Sequence, residues 1–93
     1  MQKKHLKTLR AIFARPVSGS IRWKEVEALF SALGGIIQER EGSRVAVILF
    51  SQVKVFHRPH PKPTTDKGAI ASIRTWFELN GITPDQIEES EYE

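Results

Sequence analysis

Ninety-three residues, 40% apolar and 27% charged, suffice for one soluble globular domain with a modest core. The chain has no cysteine, which excludes a disulfide framework and a thiolate zinc site and points to a reducing cytoplasm. No apolar run reaches membrane length. The formal net charge of +3 is unevenly placed: all 14 Lys and Arg precede residue 75, against six acids in the first 84 residues, whereas the last nine residues hold five acids and no base. A basic body of this kind suits a polyanion such as nucleic acid, and an acidic tail suits a solvated or screening role.

The spacing of Leu6, Leu9, Ile12 and Phe13 predicts a helix over residues 3–14, stopped by Pro16, because the residue before a proline disfavours the helical region. Val26, Leu29, Phe30 and Leu33 form the stripe of a second helix over 22–33, with Trp23 as a core anchor at its start and Gly34-Gly35 as its stop. The period then changes from helical to alternating. Residues 36–41 predict a first strand, Glu41-Gly42-Ser43 a turn, 44–50 a nearly unbroken apolar strand, and 53–57 a third strand. Ser51-Gln52 is the expected two-residue hairpin, which pairs Ala46 with His57 and makes Arg44 the diagonal neighbour of His57 on the same face.

Pro59, Pro61 and Pro63 forbid helix and central strand over 58–66. Thr65 or Asp66 then caps a last helix over 67–80, with Ile70, Ile73, Trp76 and Phe77 inward and Gly81 as its stop. The order α-α-β-β-β-α gives an α+β class with a three-stranded antiparallel meander. Residues 1–82 form the expected domain, with 1–20 as an N-terminal helical extension and 83–93 as an acidic tail.

Four stretches, I-R-W-K-E-V-E-A-L-F-S-A-L-G-G (21–35), E-G-S-R-V (41–45), V-F-H-R-P-H-P (55–61) and T-D-K-G-A-I-A-S-I-R-T-W-F-E-L-N-G-I (65–82), resemble in order and spacing the HicA toxins of toxin–antitoxin pairs. The resemblance implies a fold like that of the double-stranded-RNA-binding domain, with helices on one face of the sheet. It also implies a ribosome-independent mRNA endoribonuclease and neutralisation by a HicB-like antitoxin. One departure stands out. The family pattern places its catalytic histidine directly after Gly-Ser at the start of the second strand, and here Gly42-Ser43 is followed by Arg44. That role does not carry over, and a non-catalytic RNA- or antitoxin-binding module of the same fold is the competing expectation.

The register suggests how the chemistry is kept. RNA is cut without metal when its own 2′-hydroxyl attacks the adjacent phosphorus, which requires a proton acceptor, a proton donor and positive charge on the phosphate. Histidine, with an ordinary pKa of about 6.5, suits the first two roles, and arginine the third. His57, His60 and Arg44 are therefore the expected catalytic residues, and Arg44, Arg58, Lys62 and Lys67 the expected RNA ligands. His57 and His60 with only Asp66 near them in sequence make a poor metal site, so neither a metal nor another cofactor is expected.

Overall fold

The switch from helical to alternating periodicity after Ala32 divides the molecule into a helical layer and a sheet. The computed structural model describes residues 1–87. Its elements are α1 (Lys3–Phe13), α2 (Trp23–Ala32), β1 (Ile36–Glu39), β2 (Arg44–Leu49), β3 (Gln52–His57) and α3 (Lys67–Leu79). The three strands form one antiparallel sheet in the order β1-β2-β3, so class and element order are as the sequence predicts. The residues expected to form an acidic tail lie mostly beyond the described ones, from 88 onward.

Alternation along the strands decides which face is covered. Val45, Val47 and Leu49 of β2 and Phe56 of β3 join the core with Val26, Leu29 and Phe30 of α2 and Ile70, Ile73, Trp76 and Phe77 of α3. α1 buries Leu6, Leu9 and Ile12 and packs on α2 and α3. Phe30 is the hub of the aromatic core. Its fully buried ring lies 5.8 to 6.3 Å, centroid to centroid, from those of Trp23, Phe56, Trp76 and Phe77. The opposite face of the sheet has no helix on it among the described residues. There Ile36, Val53 and Val55 stand 53–60% exposed.

The β2–β3 register differs from the expected one. Leu49 pairs with Gln52 and Arg44 with His57, so the hairpin turn is Phe50-Ser51 and not Ser51-Gln52. Both turn residues have positive φ, 57° and 59°, as a type I′ turn requires. A phenylalanine is strained there. Its ring is nevertheless inserted between aromatic partners, 5.5 Å from Trp76 and 6.1 Å from Phe77, and that packing offsets the backbone cost. At the other end of β2, Gly42 takes φ 69° in the turn that leads into Arg44.

α3 also secures α1. Arg74, only 6% exposed, donates from Nε to the carbonyl of Ile12 at 3.0 Å and from Nη2 to that of Ala14 at 3.2 Å. Its charge sits on the carboxyl end of α1, where helix carbonyls lack partners and the dipole favours a cation. Arg74→Met fills similar space and leaves those carbonyls unbonded. We expect it to cost about 2–4 kcal/mol, measured as a lower urea midpoint at unchanged slope.

Candidate active site

Of the sequence-predicted residues, the end of β3 brings His57 to Arg44, while Arg58, His60 and Lys62 follow it along the chain. The Arg58 amide donates to the Ser43 carbonyl at 2.8 Å, which makes Ser43 and Arg58 a hydrogen-bonded pair. Arg44 and His57 then face each other as a non-hydrogen-bonded pair, the closer of the two antiparallel arrangements, with Cα atoms about 4.5 Å apart. The one-step register correction therefore moves Arg44 from a diagonal to a direct neighbour of His57. Both side chains are exposed on the uncovered face of the sheet. Arg44 Nε donates to the Glu41 carbonyl at 3.3 Å, which holds the guanidinium back over the β1–β2 turn.

Arg58 points to the other side of the strand and is engaged there. Its Nε and Nη2 donate to Glu27 Oε2 at 3.2 and 3.0 Å, and its Nη1 donates to both carboxylate oxygens of Glu39. These bonds, that to Glu39 foremost and that to Glu27 next, raise the pKa of an already permanent cation. The side chains of Arg58, Glu27 and Glu39 are 34%, 20% and 70% exposed, so the Glu39 arm lies most in solvent and is the weaker one. Composition alone gives no sign of this clamp, because Glu27 and Glu39 lie 31 and 19 residues from Arg58.

The proline loop is stitched to the start of α2. The Trp23 amide donates to the Pro63 carbonyl at 3.0 Å, the Thr65 amide donates to the Ile21 carbonyl at 2.7 Å, and Arg22 and Thr64 form a single antiparallel bridge. This places exposed His60 and Lys62 on a short, anchored span beyond His57. Asp66 caps α3 by accepting from the Ala69 amide at 3.2 Å, which decides between the two expected caps. Lys67 opens α3 directly after this cap, and its stem runs against Gly19, where an added Cβ would meet Lys67 Cε at 3.1 Å.

A groove of about 390 Å³ runs between β3 and α3, lined by Lys54, His57, Arg58, Thr65, Asp66 and Ser72 among others. Lys54 is a cation in it that no sequence motif singles out. Its Nζ donates to Ser72 Oγ at 3.3 Å and lies 5.9 Å from the Trp76 ring centroid. Alternation along β3 marks Lys54 as covered, and nothing in the sequence shows that Ser72 waits for it. Among the described residues no three His, Cys, Asp or Glu side chains cluster as a metal site would need. None of the described helices is long and apolar enough to cross a membrane. The corner thus has a histidine and an arginine paired across β2 and β3 on an open surface, the guanidinium turned toward the β1–β2 turn, and His60 and Lys62 exposed on the loop that follows. Guanidinium and imidazole are the side-chain types suited to holding an anion and to moving protons at neutral pH.

The family model described as the HicA toxin of bacterial toxin–antitoxin systems matches residues 23–81, from the start of α2 to the glycine that ends α3. Comparison with curated proteins and with solved structures found no match.

Proposed function

Because this chain belongs to the HicA family of toxins from bacterial toxin–antitoxin systems, we propose that it is an endoribonuclease that cuts mRNA without metal, at the corner where Arg44 faces His57. The observation that carries the reading is that pairing, which returns an imidazole to the neighbourhood of the position where the family pattern has one. His57 takes the proton of the 2′-hydroxyl as that oxygen attacks phosphorus. A second group, His60 in this reading, protonates the departing 5′-oxygen. The P–O5′ bond breaks, leaving a 2′,3′-cyclic phosphate on one fragment and a 5′-hydroxyl on the other. Arg44 binds the phosphate oxygens on which negative charge grows.

Lys62 and Lys67 contribute positive charge along the RNA path. Arg58 reaches a phosphate by exchanging its exposed partner Glu39 for it while keeping Glu27. The cellular partner is a HicB-like antitoxin that covers the same face. Exposed Ile36, Val53 and Val55 give it apolar ground beside the cations, and acidic side chains suit Arg44 and His57.

Product analysis tests the chemistry. Fragments ending in a 2′,3′-cyclic phosphate, and no cutting at a site carrying a single 2′-deoxy substitution, are the expected results. Fragments with 5′-phosphate ends contradict it. Arg44 in the place of the family histidine favours one alternative, a module that binds RNA or the antitoxin without cutting.

A further inference from the structure

Arg44 and His57 form the last pair of the β2–β3 ladder. On one strand the chain arrives from the turn in which Gly42 takes φ 69°, and on the other it leaves into the proline loop. Both side chains are exposed. A pair at the open end of a ladder frays, because few buried contacts hold it and water competes for its backbone bonds. Beyond this pair the ladder is closed by the Arg58 amide, which donates to the Ser43 carbonyl at 2.8 Å. Whatever holds Arg58 therefore keeps His57, the residue before it, opposite Arg44.

The Arg58 side chain ties the strand end to two other elements. Its Nε and Nη2 donate to Glu27 Oε2 on α2 at 3.2 and 3.0 Å, and its Nη1 donates to Glu39, the last residue of β1. The two arms are unequal. The Glu39 side chain is 70% exposed and belongs to an edge strand. The Glu27 side chain is 20% exposed and stands on a helix fixed in the core by Val26, Leu29 and Phe30. Water screens the Glu27 arm less, and its base is the more rigid one. Two guanidinium nitrogens on one carboxylate oxygen also fix the direction of the planar group, which a lysine ammonium does not allow.

We propose that Glu27 is a positioning residue: acting through Arg58, it keeps the end of β3 in the ladder, so that His57 stays opposite Arg44. Its use in cleavage rests on the ribonuclease reading, whereas the holding itself is measured without RNA.

The test compares wild type with Glu27→Ala, a substitution that favours helix and so keeps α2. In the full chain labelled for NMR, the Arg58 amide of the variant is expected to exchange with solvent about fivefold faster, the scale of a partly exposed ion pair. The cross-strand Hα–Hα contact between Arg44 and His57 is expected to weaken. The Val47 amide, in the middle of the ladder, is expected to exchange as in wild type. Single-turnover cleavage at saturating RNA is expected to fall about tenfold, since small displacements of a reacting group are costly, while RNA binds no more weakly. Glu27→Gln keeps an oxygen that accepts from Arg58 and is expected to lie between the two. Glu39→Ala, which removes the exposed arm, is expected to have the smaller effect on both readouts.

An Arg58 amide that exchanges at the wild-type rate in Glu27→Ala overturns the proposal. Equal acceleration at Val47 does so too, since it marks a general loss of stability. A full cleavage rate in a variant whose Arg58 amide is accelerated also overturns it, because the held geometry is then not needed. A wild-type protein that never cuts RNA removes the ribonuclease reading, and amide exchange and the Hα–Hα contact then decide alone whether Glu27 holds the pair.

Discussion

His57→Ala is expected to slow RNA cleavage by about a thousandfold under single-turnover conditions while leaving the fold intact. The size follows from the chemistry, since a positioned acid–base group contributes about a hundredfold to ten-thousandfold to proton transfer in the transition state. The intact fold follows from its place. His57 is the last residue of β3, its side chain is exposed, and it joins no core contact. Stability by urea titration is therefore expected to stay within about 0.5 kcal/mol of wild type, the usual range for surface positions. His60→Ala gives the matching comparison, with a fall of about tenfold to a hundredfold if His60 protonates the leaving oxygen, since a strained alternative donor such as water can partly replace it. A full-rate His57→Ala enzyme removes His57 from the mechanism.

The largest stability effect belongs to Phe30→Ala. Phe30 is completely buried, and its ring touches four others, from α2, β3 and α3. Truncating a buried phenylalanine costs about 3–5 kcal/mol, the lost transfer energy plus that of the cavity left behind. A domain of this size holds only about 5–10 kcal/mol in total. The melting temperature is thus expected to fall by about 15–30 °C, from the usual ratio for domains of up to a hundred residues. Phe30→Leu keeps much of the volume and is expected to cost less than half as much. Calorimetry of the three proteins checks both statements. A Phe30→Ala melting temperature within a few degrees of wild type contradicts the placement of this ring at the centre of the core.

Much of this arrangement is legible in the order of the residues. The stripes of α2 and α3, the glycines that end them and the proline-rich loop need only periodicity and turn chemistry to be found. So does the placement of Arg44 and His57 on one face, because a shift of the turn by one residue moves the pairing by two and preserves the face. The turn itself is not legible. Phe50 continues an apolar run that reads as strand, and only the rings of Trp76 and Phe77, which come from a helix 26 residues later, explain why a phenylalanine accepts positive φ. The same holds for Arg58 and Arg74. Arg58 reads as an RNA ligand in sequence and Arg74 carries no signal there, yet one is clamped by Glu27 and Glu39 and the other is buried against the end of α1. Long-range partners of charged side chains leave no periodic trace, whereas the apolar residues that bury them do.

The most direct measurement of the central claim is the cleavage of a defined single-stranded RNA by the purified wild-type protein in excess chelator. Cutting at a rate unaffected by removal of divalent metal is the predicted result. An RNA that stays whole, while the same protein binds it in a salt-sensitive manner, contradicts the ribonuclease reading and favours a module that binds RNA without cutting it.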